Sequence, residues 1–177
     1  MMLSFSKEER ADLLNGFECG IPVMDEFIRT QLDDLLSNDP RYSLYVVRND
    51  GADIVAFFVI SIGAFVDNKG EYADLPFGKP WGYMDEDSEL RSCLRYPTLE
   101  IDYLAVRKDC RNNGIGHQVV LELIGLATER DMFFLTVDAY HDASYSAIPF
   151  YEKQGFFALQ EYSVDSNTLR MAKRASL

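Results

Sequence analysis

The sequence predicts a mixed α/β (α+β) fold, in which a mostly antiparallel central sheet carries one parallel strand pair and helices cover both faces. Two strand-like runs flank Asn49-Asp50-Gly51, a sequence typical of an antiparallel hairpin turn. Residues 99–139 then follow the order strand, helix, strand, which makes the two strands parallel. With 177 residues, 47% of them hydrophobic, the chain suits one domain spanning residues 1–177.

The N-terminal part is predicted to contain two helices. Ser6-Lys7-Glu8-Glu9 has the Ser-x-x-Glu form of a capping box, and Asn15-Gly16 supplies a stop, which predicts a short first helix. Pro22 suits the first position of a second helix, in which apolar residues recur every three or four positions as far as Asn38-Asp39-Pro40. One face of this second helix should therefore be buried.

Strands and helices alternate in the rest of the chain. Helices are predicted at residues 114–130 and 144–154, the second of them despite Pro149. Between residues 67 and 97, Gly and Pro interrupt any regular spacing of apolar residues, so this stretch is predicted to be a long loop. The strands are predicted at residues 42–48, 53–65, 99–106, 133–139, 156–160 and 168–173.

The chain is acidic, with a formal net charge of -12 and a pI of about 4.5. Such a surface repels phosphate backbones and attracts cations, so we expect no nucleic-acid partner, although acidity also simply favours solubility. No apolar run approaches the roughly 20 residues that cross a bilayer. The N-terminus lacks a signal-peptide pattern, so we expect a soluble, cytoplasmic protein without membrane contact. Cys19, Cys93 and Cys110 are odd in number and widely spaced, which predicts reduced thiols and no metal site.

A turn rich in glycine and asparagine precedes the predicted helix 114–130 and reads Arg111-Asn112-Asn113-Gly114-Ile115-Gly116. A glycine-rich turn at a helix N-terminus presents unpaired backbone N–H groups and the positive end of the helix dipole, which together suit a pyrophosphate. The turn lacks the Gly-Lys-Ser/Thr of a Walker loop and the first glycine of the Rossmann pattern. The turn is therefore neither of these two motifs, and because a Gly-x-Gly also occurs by chance, the wider sequence context has to decide what it binds.

Two patterns in this chain resemble those of the GNAT superfamily of N-acetyltransferases. The turn just described matches the superfamily's Arg/Gln-x-x-Gly-x-Gly/Ala coenzyme A loop and follows a Leu104-Ala105-Val106 strand end typical of its members. Further on, residues 147–156 resemble the second signature, Ala-x-x-x-Tyr-x-x-x-Gly-Phe. Phe17-Glu18-Cys19-Gly20 with Asp25-Glu26-Phe27 further resembles the opening of toxin-like members.

The resemblance implies an enzyme that uses acetyl-CoA and binds coenzyme A where the two parallel strands splay apart. His117 is expected to offer its backbone N–H to a phosphate, and Ser144 stands where many members carry asparagine. The residues that the resemblance implies in coenzyme binding are Leu104, Ala105, Val106, Arg111, Asn112, Asn113, Gly114, Ile115, Gly116, His117, Ser144 and Tyr151.

Acetyl transfer to an alkylamine benefits from a base, because the amine has a pKa of about 10.4 and is protonated at neutral pH. Glu100 and Asp102 stand two residues apart on one predicted strand and should share a face. By resemblance to histone-acetylating members Glu100 is the first candidate for the base, with Asp102 second. Alternatively, these carboxylates face solvent or pair with a basic residue of the long loop.

Tyr151 stands where many members of the superfamily keep the general acid that protonates the departing thiolate. The alternative is a buried aromatic residue with no part in the reaction. The backbone N–H groups at the strand end, residues 104–106, could also take part. They could hold the pantetheine arm and polarise the acetyl oxygen.

The expected function is transfer of acetyl from acetyl-CoA to a primary amine of a small-molecule or peptidyl acceptor. Acidic residues would draw in this acceptor as a cation. Toxin-like acetylation of aminoacyl-tRNA is one alternative, suggested by the N-terminal pattern, and a non-catalytic acyl-CoA-binding regulatory module is another. The net charge of -12 favours the cationic acceptor over tRNA. A homodimer is left open.

Overall fold

The computed structural model describes residues 2–67, 94–159 and 167–175. The strands β1 to β7 are Ser4–Glu8, Ser43–Arg48, Ile54–Asp67, Leu94–Val106, Phe134–Tyr140, Phe157–Ala158 and Thr168–Arg174. The helices α1 to α4 are Pro22–Thr30, Leu32–Asn38, Ile115–Glu129 and Ile148–Lys153.

The strands form one sheet in the spatial order β1-β2-β3-β4-β5-β7-β6. Every pairing is antiparallel except that of β4 with β5, whose parallel register runs from Thr98↔Phe134 to Ile101↔Val137. The predicted hairpin is formed by β2 and β3, and the predicted strand–helix–strand unit by β4, α3 and β5. The predicted fold class is confirmed.

The first predicted helix is wrong, because these residues form β1 and a 3₁₀ turn at Asp12–Leu14. Ser6 does not cap a helix: its hydroxyl accepts a hydrogen bond from Arg48 at 2.7 Å and donates one to Glu8 at 2.8 Å. The first of these bonds joins β1 to β2, which pair from Ser4↔Arg48 to Glu8↔Leu44. Pairing with the sheet therefore outweighs the local capping pattern.

Two further helices differ from their predicted bounds. The second predicted helix is divided into α1 and α2 at Gln31, whose φ of -129° leaves the helical region. The predicted helix 144–154 begins only at Ile148. The Asp142 carboxylate accepts the backbone N–H groups of Ser144 and Tyr145, which holds those residues in a turn.

The strands β3 and β4 are longer than predicted. Their antiparallel register extends to Asp67↔Leu94, so the predicted loop 67–97 is wrong at its ends. Residues 68–93, including Cys93, lie outside the described residues. The Phe65 ring lies 6.3 Å from that of Tyr96 and 4.8 Å from that of Phe134, between ring centroids. Such aromatic neighbours across strands favour continued pairing over a loop.

Helices pack on both faces of the sheet. On one face α3 buries an apolar stripe made of Ile115, Val119, Val120, Leu123 and Ala127. On the other face Ile28 of α1 and Leu32 of α2 join a second core. The consecutive residues Phe57 and Phe58 of β3 enter different cores, as the pleat of a strand requires. Within the ranges that the structure describes, no helix has the length and apolar character needed to cross a membrane.

Candidate active site

A cleft of about 500 Å³ opens beside the C-terminal end of β4. It lies between that strand, the turn that precedes α3, and the N-terminal part of α4. Its walls combine the backbone of the glycine-rich turn with side chains of mixed polarity. The lining residues are Cys19, Ile21, Leu104, Ala105, Val106, Cys110, Arg111, Asn112, Gly114, Ile115, Gly116, His117, Tyr145, Ser146, Phe150 and Gln154.

The N-terminus of α3 meets this cleft and has the features of an anion site. Asn112 and Gly114 adopt left-handed backbone conformations, with φ of 63° and 78°, so the chain turns sharply before the helix begins. Within α3, all of which is described, no side chain caps the N-terminus and no acidic residue occupies the first turn. The first N–H groups of the helix have no intrahelical acceptor and are therefore left for a ligand.

Two glycines shape the wall of the cleft. A Cβ on Gly114 would meet no atom within 4 Å, so the space beside this residue is open. A Cβ on Gly116 would lie 3.0 Å from Cε2 of Phe150, so a residue without a side chain lets α3 pack closely on that ring. Both positions permit phosphate oxygens to approach the backbone of the turn.

Arg111 adds positive charge to the same cleft. It forms no salt bridge with the residues that the structure describes. The ring of His117 contacts another lining residue, with 2.6 Å between its Nδ1 and Oε1 of Gln154. The backbone donors of the turn and the Arg111 guanidinium together fit the pyrophosphate of coenzyme A.

The strand β4 has a β-bulge two residues before Leu104, the first of its residues to line the cleft; among the described residues, Glu100 and Asp102 do not themselves line it. Val59 of β3 pairs with Tyr103, whereas the next residue of β3, Ile60, pairs with Ile101. Asp102 is therefore the extra residue of the bulge. The parallel register with β5 also stops at Ile101, and the residues that end β4 line the cleft.

Asp102 is a half-buried carboxylate with an unsatisfied oxygen. Its Oδ2 atom is buried and has no hydrogen-bond partner within the described part of the chain. Burial raises the pKa of Asp102 to about 6, and the charge of Glu100 adds to the rise, whereas a Ser61 hydrogen bond and the charge of Arg170 oppose it. A carboxyl group with this pKa is ionised at neutral pH but binds a proton more tightly than an ordinary aspartate does.

Glu100, the first sequence candidate for the base, forms an ion pair with Arg170 of β7. Arg170 also contacts Asp138 of β5, with 3.2 Å between Nη1 and Oδ2. A Cβ on Gly63 would lie 2.6 Å from Oε1 of Glu100, so the glutamate side chain lies directly over this glycine. The arrangement matches the alternative in which the carboxylate pairs with a basic residue, except that the partner is on β7 and not in the predicted loop.

Replacing Gly63 by alanine should destabilise the protein. The added methyl group overlaps the Glu100 side chain, which must then leave its ion pair with Arg170 or force the strands apart. Overpacking of this kind costs about 1–3 kcal/mol. Urea unfolding measures the loss, and Gly125→Ala is the matched control because a Cβ on Gly125 meets no atom within 4 Å. Equal or greater stability of Gly63→Ala relative to wild type would contradict the close contact.

Tyr151, the candidate general acid, is 5% exposed and does not itself line the cleft. Its ring packs edge-on against Phe150 and Phe156, with centroids 5.0 and 5.2 Å apart. Burial raises the pKa of the Tyr151 hydroxyl, and the nearby Tyr145, which does line the cleft, adds to the rise. The phenol is therefore held in its protonated form beside the cleft wall. Its role as the acid stays a prediction.

The N-terminal signature, residues 17–27, is hydrogen-bonded to the segment that directly precedes the turn at residues 111–116. The Asp25 carboxylate accepts hydrogen bonds from the backbone N–H groups of Cys19 at 2.7 Å and Gly20 at 2.9 Å. The backbone N–H of Lys108 donates to the Glu18 carbonyl at 3.0 Å, and the two side chains form an ion pair. These bonds place the buried Cys19 against the cleft, which gives the signature a structural role at the site.

Most residues that the sequence assigned to coenzyme binding line the cleft, but Asn113, Ser144 and Tyr151 do not. The hydroxyl and N–H groups of Ser144 both donate to Asp142, and Ser146 lines the cleft in its place. The second signature could have indicated Phe150 and Gln154, since both lie within it. The lining residues that the sequence analysis did not assign to the cleft are Cys19, Ile21, Cys110, Tyr145, Ser146, Phe150 and Gln154.

Comparison with known protein families gives one match that covers most of the chain. The family model described as "Acetyltransferase (GNAT) family" matches residues 12–156. No curated protein matches the sequence at a significant level.

Several solved structures share this fold at low sequence identity. The crystal structure of the KacTA–DNA complex has a TM-score of 0.63 and 17% identity, covering 98% of this chain and 94% of that chain. AtaTR bound with AcCoA has a TM-score of 0.63 and 18% identity, with coverages of 98% and 94%. AtaT complexed with acetyl-methionyl-tRNAfMet has a TM-score of 0.61 and 19% identity, with coverages of 96% and 94%. At such identities the likeness shows the fold alone.

Proposed function

The chain belongs to the GNAT acetyltransferase family, and we propose that it transfers the acetyl group of acetyl-CoA to a primary amine, with Asp102 as the base. The observation that carries this proposal is the buried Oδ2 atom of Asp102, which has no hydrogen-bond partner among the described residues and belongs to the bulge of the strand whose end lines the cleft. The family match covers residues 12–156, and we extend it to one domain over residues 1–177.

Two parts of the cleft would hold the coenzyme. The N–H groups at the start of α3 and the Arg111 guanidinium would bind its pyrophosphate. The backbone of residues 104–106, which also lines the cleft, would bind its pantetheine arm. When bound, acetyl-CoA supplies an acetyl thioester as the electrophile.

In this mechanism Asp102 takes a proton from the ammonium group of the acceptor, which frees the nitrogen lone pair to attack the acetyl carbon. The nitrogen–carbon bond forms, and the carbon–sulfur bond breaks as sulfur leaves with the electron pair. Tyr151 gives its hydroxyl proton to the sulfur, and the nitrogen loses its second proton as the amide forms. One of the two protons lost by nitrogen restores Tyr151, and the other passes to solvent.

Asp102 is preferred to Glu100 because their partners differ. The Glu100 carboxylate is ion-paired through Oε1 with Arg170, so one of its two oxygens is engaged by a cation. Asp102 has a buried oxygen that accepts no hydrogen bond from the part of the chain that the structure describes, and its pKa of about 6 is close to the range that suits a base at neutral pH.

The Tyr151→Phe variant should turn over roughly 10- to 1000-fold more slowly than wild type, because it lacks the proton donated to sulfur. Affinity for coenzyme A should change little, since phenylalanine keeps the ring that packs against Phe150 and Phe156 and only the proton given to the departing sulfur is lost. Steady-state rates and calorimetric binding separate the two effects. Tyr45→Phe is the matched control, because the Tyr45 hydroxyl bonds to Arg130 at 3.1 Å, and neither residue lines the cleft. Unchanged turnover in Tyr151→Phe would assign the proton to water.

The acceptor belongs to one of two classes. The carboxylates of Glu100, Asp102 and Asp138 outnumber Arg170, the cation that pairs with two of them, and this excess of negative charge favours a cationic small-molecule or peptidyl amine. The second candidate is the α-amino group of an aminoacyl-tRNA, favoured because the similar AtaT structure is a complex with acetyl-methionyl-tRNAfMet. The net charge of -12 predicted no nucleic-acid partner, and the comparisons do not support that exclusion.

Release of free thiol from acetyl-CoA, measured with small amines, peptides and aminoacyl-tRNA in turn, tests the proposal. A cationic small acceptor should react at a rate that depends weakly on salt. Acetylation of tRNA should fall steeply as salt rises, because phosphate contacts release counterions. Tight coenzyme binding with no thiol release from any acceptor would favour the non-catalytic binding module instead.

A further inference from the structure

Arg170 lies at the centre of a charged group that adjoins the proposed base. We propose that Arg170 is a positioning residue: by holding Glu100 and Asp138 in ion pairs, it sets the protonation equilibrium of Asp102. This inference rests on the proposed function only where Asp102 is taken to act in acetyl transfer. The effect on Asp102 itself can be measured without any turnover.

The sheet brings these charges together from three strands. Arg170 of β7 pairs in register with Asp138 of β5, and its guanidinium reaches across β5 to Glu100 of β4. The side chains of Arg170 and Glu100 are 18% and 25% exposed, so their ion pair is only partly screened by water. Gly63 of β3 leaves the space in which the Glu100 side chain lies. The position of Glu100 is thus fixed from both sides.

Among the described residues, no cation forms a salt bridge with Asp102. The bulge sets it out of register with β3, and its Oδ2 atom has no partner within the described residues. Arg41, the other cation that interacts with it, is exposed and bound by its neighbour Asp39. The groups that face Asp102 are Ser61 of β3, Glu100 and Tyr103 of β4, Arg170 of β7 and Arg41 before β2.

The two members of the ion pair act on Asp102 in opposite directions. The Glu100 charge favours the protonated form of Asp102, and the Arg170 charge favours the ionised form. Loss of the Arg170 charge should therefore raise the pKa of Asp102, both directly and because Glu100 is no longer neutralised. Loss of the Glu100 charge should lower it. A merely structural role predicts otherwise, since loosened packing would lower the pKa of Asp102 in both variants by exposing it to water.

The experiment compares Arg170→Gln and Glu100→Gln in the full chain. Carboxyl-carbon NMR gives the titration midpoint of Asp102, and the pH dependence of kcat/KM gives the acidic limb of the rate. We expect the midpoint to rise by about one pH unit in Arg170→Gln and to fall by about one in Glu100→Gln. Arg170→Lys keeps the charge and should restore most of the wild-type midpoint.

Each outcome is decisive. Unchanged midpoints, or shifts of the same sign in both glutamine variants, would overturn the inference. If Arg170→Gln does not fold, Arg170→Met, which is also neutral and of similar length, takes its place, and a midpoint that stays or falls in that variant would overturn the inference. If the midpoints move as expected but the rate profile does not follow, the role of Arg170 stands and the assignment of Asp102 as the base falls.

Discussion

The Gly114→Val variant is expected to bind coenzyme A roughly 10²- to 10⁴-fold more weakly than wild type, equivalent to losing two charge-assisted hydrogen bonds. Gly114 has a φ of 78°, which a β-branched residue rarely adopts, and its side chain would enter the open space beside the turn. The N–H groups at the start of α3 would then be shielded or misdirected. Isothermal titration calorimetry measures the affinity, and circular dichroism checks that the variant keeps its fold.

Gly114→Asn is the matched control for this prediction. Asparagine tolerates the left-handed conformation better than valine does, so the turn should keep its shape and much of its affinity. A folded Gly114→Val protein with wild-type affinity would show that the phosphates bind elsewhere. Equal losses in both variants would instead assign the effect to filling of the space beside the turn.

The Asp102→Asn variant should turn over an alkylamine roughly 10²- to 10⁴-fold more slowly than wild type at neutral pH, because the amide cannot accept the ammonium proton. Its rate should partly recover at high pH, where the free amine loses its proton without help. In wild type the rate should fall as the pH drops through about 6, because Asp102 becomes protonated there. A variant with full activity and an unaltered pH profile would reject Asp102 as the base.

Stability measurements provide the control for this variant, and the sign follows from the pKa. The pKa of Asp102 rises from 3.8 to about 6 on folding, so the native state binds this proton more tightly than the unfolded chain. The contribution of Asp102 to stability therefore decreases as the pH rises from about 4 to about 6. Asparagine carries no charge to desolvate, so Asp102→Asn should unfold at a higher temperature than wild type at neutral pH. Low activity in a stabilised variant excludes unfolding as its cause.

The same variant also distinguishes the two acceptor classes. An alkylamine has a pKa of about 10.4, whereas an α-amino group has a pKa of about 7.7–8.0 and is largely free at pH 8. The loss caused by Asp102→Asn at pH 8 should therefore be large for a lysine-like acceptor and small for an aminoacyl group. A small effect would direct attention to the tRNA candidate.

Local patterns in the sequence were enough to predict most of the strands of the sheet and the turn at residues 111–116. The turn at residues 111–116 combines a strand end, two glycines and a helix start within a few residues, so the chemistry is readable from adjacent positions. The parallel pair followed from the strand–helix–strand order for the same reason. The capping pattern at Ser6 failed because its decisive partner, Arg48, is 42 residues away.

The choice between Glu100 and Asp102 as the base could not be made from the sequence, for a related reason. Glu100 and Asp102 both stood on the correct strand, but their difference comes from partners on other strands. The ion pair with Arg170 spans 70 residues of sequence, and the bulge that sets Asp102 apart depends on the register between β3 and β4. Neither feature leaves a periodic signal, because each is a property of the assembled sheet.

The end of the β4–β5 parallel register has a consequence for the lifetime of the protein. Beyond Ile101, β4 has a partner on β3 but, among the described strands, none on the side toward β5. The sheet thus contains a short unpaired strand edge in its interior, next to the cleft. An unpaired edge of this kind offers backbone groups with which a strand of another chain could pair. A ligand that binds at this edge raises the free energy of unfolding, and the increase becomes larger as the ligand concentration rises. Resistance of the protein to unfolding and aggregation is then coupled to the supply of acetyl-CoA.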